Sequence, residues 1–288
     1  MTPLRSFLFA PGDSDRKMEK AGDSGADAVI LDLEDSVAPS EKTIARQKVA
    51  ELLGGAERRC QLWVRINPLE SGLADQDLAA VLPGRPDGIM LPKAEGPQDV
   101  AALSARLDPS DPDRRIKILP VATETAAAPF HLGDYKNHDI PRLYGLTWGA
   151  EDLSTALGAS TNRSADGDWA FTYKMVRSLT LMAARAAGVE PVETLYVDFR
   201  DTEGLKATSR AARAEGFSGR LAIHPAQVAG INESFMPSTE EIAQAKWVVA
   251  AFAASPGAGT VGIDGKMYDI PHLRQAERTL SLARAFAT

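Results

Sequence analysis

Two kinds of segment alternate along this chain. Short runs of β-branched, aromatic and aliphatic residues, each closed by Gly, Pro, Asp or Asn, are followed by longer stretches whose apolar residues recur at helical spacing. The short runs predict strands at Ser6 to Ala10, Ala28 to Glu34, Gln61 to Ile66, Gly88 to Leu91, Ile116 to Ala122, Leu143 to Trp148, Thr194 to Phe199 and Arg220 to His224. Eight strands with helices between them predict an α/β fold of the (β/α)8 TIM barrel type. A doubly wound sheet has fewer strands and a Gly-rich first turn, which is missing here.

Helices are predicted at Ser40 to Leu53, Gln98 to Leu107, Asp168 to Ala187 and Gly204 to Glu215, the third preceded by a polar loop, Ser160 to Gly167. Another begins at Ser238, where Glu241 three residues on completes a capping box, and Ile242, Ala245, Val249 and Phe252 form one apolar stripe. The glycine-rich stretch SPGAGTVGIDGKMYDIPHL reads as a mobile connection to a last helix, Pro271 to Phe286. The pattern thus divides into a barrel over 1–228 and a C-terminal helical extension over 229–288.

Composition narrows the partners. A net charge of −7 disfavours nucleic acid and anionic membrane, leaving a small molecule or a protein. The one cysteine, Cys60, cannot form an intrachain disulfide, and the start MTPLRSFLFAPGDSD lacks a signal-peptide pattern, so a cytoplasmic protein is expected. No apolar run approaches the roughly 18 residues of a membrane span.

In a barrel of this kind the chemistry sits at the C-terminal strand ends. Strand two ends in Asp32, Glu34 and Asp35, strand three in Arg65 and Asn67, strand four in Lys93, strand five in Thr123 and Glu124, and strand six runs into Glu151 and Asp152. Carboxylates from three strand ends repel one another in a small cavity, a conflict that a divalent cation resolves. Hard oxygen donors, with only four histidines in the chain, point to Mg²⁺ or Mn²⁺ rather than zinc.

Seven motifs then occur in order from Arg5 to Val228: RSFLFAPG, GADAVILDLEDSV, WVRIN, MLPKAE, ATET, GAEDL and IHPAQV. In this order they resemble the HpcH/HpaI aldolase and citrate lyase β-subunit superfamily, and within it the branch of malyl-CoA, β-methylmalyl-CoA and citramalyl-CoA lyases. The resemblance implies a Mg²⁺-dependent carbon–carbon lyase that cleaves a hydroxy-diacid CoA thioester into an acyl-CoA and a 2-oxo acid, glyoxylate or pyruvate. It assigns the metal to Glu124 and Asp152, the support of its waters to Glu34 and Asp35, and the thioester region to Arg65. His224 and Gln227 of the HPxQ motif fall near CoA, and Arg5, Lys20 and Lys93 join the substrate- and CoA-binding set. The segment GKMYDIP resembles a lid that covers a neighbouring subunit's site, with Asp269 as acid/base and Asp264 as its fallback. A homotrimer or a dimer of trimers is implied. Trp63, Trp148, Trp169 and Trp247 are taken as packing residues. Three other readings keep the same residues: a malyl-CoA thioesterase, a citrate lyase β-subunit acting on an acyl-carrier thioester, and a non-catalytic binder of CoA esters.

Overall fold

The computed structural model describes residues 3–55 and 58–286. It separates the chain into the units Pro3–Asn232 and Glu233–Thr288. The first unit runs β1 (Ser6–Pro11), α1 (Asp15–Gly22), β2 (Ala28–Asp32), α2 (Lys42–Leu53), β3 (Gln61–Arg65), α3 (Ala74–Val81), β4 (Gly88–Leu91), α4 (Pro97–Leu107) and β5 (Lys117–Pro120). A 3₁₀ stretch, Ala128–Asn137, then leads to β6 (Gly145–Thr147), α5 (Ala150–Ala156), α6 (Phe171–Ala186), β7 (Glu190–Glu193), α7 (Thr202–Glu215), β8 (Gly219–Ala222) and α8 (Val228–Ser234).

The strands lie in the order β5-β4-β3-β2-β1-β8-β7-β6, and each neighbouring pair is parallel. The outer strands meet through bridges at Ile118–Leu143 and Val121–Thr147, where Ala122 N donates to Thr147 O at 2.9 Å. That join closes the sheet into the expected TIM barrel. All five residues of β2, AVILD, are buried. A parallel strand covered on both faces reads as an unbroken apolar run, which is why most strands stand out in the sequence.

The barrel interior is filled by aromatic rings. Phe7, Trp63 and Tyr144 meet edge to face at centroid separations of 5.3 to 5.9 Å, and the Tyr144 hydroxyl accepts from Leu4 N at 2.9 Å. Gly88 pairs in register with Trp63. A Cβ at Gly88 would fall 2.3 Å from Trp63 Cε3, so glycine there makes room for the indole.

The seventh strand is not where the sequence places it. Thr194 to Phe199 is irregular, with Val197 and Phe199 exposed, and β7 is the less apolar EPVE just before it. Glu193 is nonetheless buried, because its carboxylate accepts from Trp148 Nε1 at 2.7 Å and Arg177 Nε at 2.6 Å. The helices α1 and α3 escape prediction because each spans only eight residues, and α1 is polar along most of its length.

The second unit contains α9 (Thr239–Ala253), β9 (Thr260–Ile263), β10 (Lys266–Asp269) and α10 (Ile270–Ala285). The Ser238 capping box forms as expected, with Ser238 Oγ accepting from Glu241 N at 3.2 Å and Glu241 Oε2 from Ser238 N at 2.7 Å. The supposed mobile connection is instead largely an antiparallel hairpin. Its two-residue turn places Asp264 and Gly265 at φ of 47° and 76°, the left-handed pair of a type I′ turn, for which Asp-Gly is a signal. A small core of Ala245, Val248, Phe252, Ile263 and Ala276 holds this unit together. Trp247 is 40% exposed, so it is not the packing residue expected.

Gly88→Ala should destabilise the barrel by roughly 1–3 kcal/mol through overpacking against Trp63. Denaturant unfolding followed by Trp fluorescence checks this, and an unchanged midpoint would show that the interior has slack.

Candidate active site

The buried ends of β2 and β3 meet through charge. Arg65 Nε and Nη2 donate to the two oxygens of Asp32, both at 2.7 Å, and Nη1 lies 2.9 Å from Glu34 Oε2. The guanidinium also stands 4.8 Å from the centre of the Phe9 ring. Burial opposes the Asp32 charge, but the Arg65 hydrogen bonds and charge outweigh it and hold that carboxyl below its usual range. Burial likewise opposes the Arg65 charge, and Asp32 and Glu34 overcome it, so Arg65 stays firmly cationic. Glu34 is raised by burial in spite of Arg65 and Lys93.

Lys93 joins this pair to the next two strand ends. Its φ of 53° is left-handed, a strained setting for a non-glycine residue. From there its backbone N donates to Glu124 Oε2 at 2.7 Å, while Nζ reaches Glu34 Oε1 at 2.5 Å, Asp152 Oδ1 at 3.4 Å and Asp35 Oδ2 at 3.7 Å. Burial works against this ammonium and the surrounding acids more than restore it. Burial pushes the Glu124 carboxyl up to about 8, and the charge of Asp152 adds to the rise. Gly149, at the start of α5, leaves the space that Glu124 fills, since a Cβ there would sit 2.8 Å from Glu124 Cγ.

A cavity at this mouth is lined by Phe9, Arg65, Glu124 and Asp152 together with Val121, Trp148, Trp169, Leu195, Val197 and Leu221. Its charges do not balance. Asp32, Glu34, Asp35, Glu124 and Asp152 are five carboxylates, while Arg65, Lys93 and Lys42 are three cations. With Glu124 protonated one negative charge is left over, and a second appears when an ion displaces that proton, the amount a divalent ion neutralises. Among the described residues no group of three or more His, Cys, Asp or Glu side chains is placed to hold a metal. A two-carboxylate oxygen site suits Mg²⁺, which keeps several waters and demands few protein ligands.

The structure thus brings together Glu34, Asp35, Arg65, Lys93, Glu124 and Asp152. Other expected residues lie elsewhere or are otherwise engaged. Arg5 precedes β1, at the barrel end opposite these strand C-termini, and is held bidentately by Asp27 at 2.9 and 2.7 Å. Lys20 is exposed in the last turn of α1. Lys93, expected in the substrate- and CoA-binding set, faces carboxylates in this structure. Gln227 is buried as a clamp, accepting from Ile223 N at 2.9 Å and His224 N at 3.2 Å and donating to Tyr196 O at 2.8 Å. His224 stacks on Phe199 at 4.6 Å, with Nδ1 accepting from Ala226 N. Asp269 caps α10 and hydrogen-bonds the His272 ring, which holds its carboxyl below the usual range. Asp264 is spent on the hairpin turn.

Sequence reasoning missed two contributors. Lys42 Nζ donates to Leu33 O, Glu34 O and Asn67 Oδ1 at 2.6, 2.7 and 2.9 Å, pinning the loop that carries Glu34. Nothing in its helical setting signals that role. Trp169 was assigned to packing, yet it lines the cavity, edge-on to Trp148 at 5.2 Å and covered by the Arg163 guanidinium at 3.4 Å.

Comparison with known proteins fits this geometry. Residues 5–225 match the model of the HpcH/HpaI aldolase/citrate lyase family, and residues 175–288 match that of a C–C bond lyase of the TIM-barrel fold. Mitochondrial citramalyl-CoA lyase of Rattus norvegicus is 33% identical, with 98% of this chain and 86% of the relative covered. A (3S)-malyl-CoA thioesterase of Cereibacter sphaeroides is 37% identical, with 99% and 96% covered. The crystal structure of CitE from Mycobacterium tuberculosis in complex with magnesium, acetoacetate and coenzyme A superposes with a TM-score of 0.81 at 34% identity, covering 98% of both chains. With a family model spanning most of its length and relatives above 30% identity end to end, this chain belongs to the HpcH/HpaI aldolase/citrate lyase family.

Proposed function

We propose that this protein is a Mg²⁺-dependent carbon–carbon lyase that cleaves the CoA thioester of a small hydroxy-diacid, such as citramalyl-, malyl- or β-methylmalyl-CoA, into an acyl-CoA and a 2-oxo acid. The observation that carries this reading is the buried Glu124 carboxyl beside Asp152, in a mouth where carboxyls outnumber cations and Arg65 is fixed by Asp32. Glu124 and Asp152 would hold the ion, with Mn²⁺ able to take its place. A bound Mg²⁺ supplies Lewis acidity, which lowers the pKa of the substrate's 2-hydroxyl.

The side chains around it divide the remaining work. Asp32 locks Arg65 in both position and charge, so the guanidinium can meet the enolate oxygen that forms as the carbon–carbon bond breaks, without reorganising at that moment. Glu34 and Asp35 orient water, and Lys93 keeps the acids from repelling one another. The apolar wall of Trp148, Trp169, Leu195, Val197 and Leu221 limits water near the carbanion. His224 and Gln227 shape the rim on the CoA side. In the assignment that the family resemblance provides, the Asp269 carboxylate takes up the proton released by the substrate hydroxyl and delivers it to the enolate carbon, residues 229–288 act as the lid, and the working form is a homotrimer or a dimer of trimers. A cytoplasmic location belongs to the same proposal. Among the described residues no helix is long and apolar enough to cross a membrane.

Thioester hydrolysis is the second reading, favoured by the malyl-CoA thioesterase relative. Purified protein incubated with Mg²⁺ and a panel of these thioesters, with an EDTA control, separates the two by mass spectrometry. Acetyl-CoA or propionyl-CoA with the matching oxo acid is expected. Free CoA with the intact hydroxy-diacid would make it a thioesterase, and no turnover of any member would leave a CoA-ester binder.

Glu124→Gln keeps the shape and removes a charge. Loss of about 10³-fold in kcat/KM is expected, the size of roughly 4 kcal/mol of transition-state stabilisation. A loss under tenfold would remove Glu124 from the metal site.

Metal binding should also track the Glu124 proton. The metal-free protein holds that proton up to a pH of about 8, and the ion requires the carboxylate, so Mg²⁺ affinity should climb close to tenfold per pH unit between pH ~6 and ~8 and level off above. Calorimetry across that range tests the sign, and a flat profile would contradict it.

A further inference from the structure

The loop between α5 and α6 carries one large side chain into the barrel mouth. It folds as a tied hairpin, in which Arg163 and Trp169 form an antiparallel bridge, Ser164 N donates to Asp168 O at 2.8 Å and Ala170 N to Asn162 O at 2.9 Å. Trp169 N donates to Asp168 Oδ1 at 2.7 Å, and Asp168 pairs with Lys174 at 2.7 Å. The backbone thus fixes where the indole starts, and its neighbours fix where it lies. The Arg163 guanidinium stands 3.4 Å from the ring centre, and Trp148 meets it edge-on at 5.2 Å. Trp148 is itself immobilised, fully buried with Nε1 donating to the buried Glu193 at 2.7 Å.

Through Trp148 this ring reaches the acids. Gly149, the next residue, abuts Glu124 so closely that a Cβ there would fall 2.8 Å from Glu124 Cγ, and Asp152 follows in the first turn of α5. Glu124, Asp152, Trp148 and Trp169 line one cavity of about 80 Å³. That is far below the roughly 300 Å³ at which ordinary small-molecule pockets begin. Room is left for a short group and little more.

We propose that Trp169 is a specificity-determining residue of this site: it limits the substituent on the hydroxyl-bearing carbon of the substrate to hydrogen or methyl and excludes ethyl and longer groups. The inference rests on the lyase reading above. In that reading the hydroxyl and its carboxylate go to the metal-binding acids and the thioester oxygen to Arg65. A substituent one bond from the hydroxyl carries no polar atom, and the surface beside those acids that suits it is the pair of indoles. An added methylene pressed against a fixed ring is accepted only with strain. Trp148 bounds the same space but belongs to the packing of the barrel. Trp169 stands on a connecting loop, where a replacement reshapes the cavity and leaves the strands in place.

The full chain and a Trp169→Leu variant are given Mg²⁺ with malyl-CoA, citramalyl-CoA and the homologue that bears ethyl in place of methyl, and substrate consumed is counted whatever the product. In the wild type kcat/KM for the ethyl homologue should be about 50-fold below that for citramalyl-CoA, within the range that one methylene decides in an apolar pocket. In the variant that gap should shrink at least tenfold. Calorimetry gives a readout without turnover: the Mg²⁺-loaded wild type should bind pyruvate about tenfold more tightly than 2-oxobutyrate, and the variant should bind the two about equally. A wild type that takes the methyl and ethyl substrates within about threefold, or a folded variant that keeps the wild-type ratios, overturns the assignment of Trp169 and leaves the lyase reading standing. Consumption of malyl-CoA without citramalyl-CoA overturns it too, because the limit then lies below methyl. No consumption of any of the three, with neither oxo acid bound, overturns the lyase reading and this inference with it. Should Trp169→Leu fail to fold, Trp169→Phe, which keeps an aromatic ring of smaller size, takes its place, with a gap at least about threefold narrower expected and an unchanged gap counting against the assignment.

Discussion

Five carboxylates and three cations share the barrel mouth, and most of what is unusual around it follows from that imbalance. Carboxylates at this depth cost free energy unless paired. Asp32 meets the cost through two hydrogen bonds from one guanidinium. Glu124 has no such partner: its Oε2 takes a single backbone N–H, from Lys93, and burial raises its pKa. Holding that N–H on target fixes Lys93 in a left-handed backbone, and a residue so strained persists only where its surroundings over-determine it. Three carboxylates around its ammonium supply that determination. The site is therefore organised for a charge that its own side chains do not provide.

Support for this arrangement extends well behind the cavity. Lys42 on α2 ties the backbone carrying Glu34 to Asn67, Asn67 bonds the buried Asp77 on α3, and Asp77 takes Arg46 Nε at 2.6 Å. Two neighbouring helices are thus locked to the ends of β2 and β3 through buried polar contacts. Such a chain resists the small displacements that weaken a catalytic constellation. It also explains why charged residues sit so deep in a barrel whose interior is otherwise aromatic and aliphatic.

Much of this could be read from the chain before the structure, for a physical reason. Strands covered on both faces must be apolar from end to end, so any acid or base that ends such a run, as Glu34, Arg65, Glu124 and Asp152 do, marks the mouth. The same logic misplaced β7, whose Glu193 is neutralised by Arg177 and Trp148 from neighbouring elements and so hides a buried strand behind polar letters. Lys42 and Trp169 were illegible because their roles depend on how separate segments converge. Arg5 shows another limit: it opens a strongly matching motif, yet a residue before a strand lies at the far end of the barrel, where it pairs with Asp27.

The arrangement of charge does not by itself choose between breaking a carbon–carbon bond and breaking a thioester. In the proposed site both reactions would build negative charge on an oxygen near Arg65, and both would be helped by polarising the substrate. They differ in what must be absent. A hydrolase has to admit water to the thioester carbon, whereas a lyase must keep it from the enolate until the intended proton arrives. In this chain the cavity is lined by Arg65, Glu124, Glu151, Asp152 and Thr194, and much of the rest of its surface is apolar, with Trp148, Trp169, Leu195, Val197 and Leu221. Trp169 is held over that surface from both sides, by Trp148 and by Arg163. A wall fixed in this way favours the dry reaction, because an indole held in place leaves less room for a water beside the carbanion.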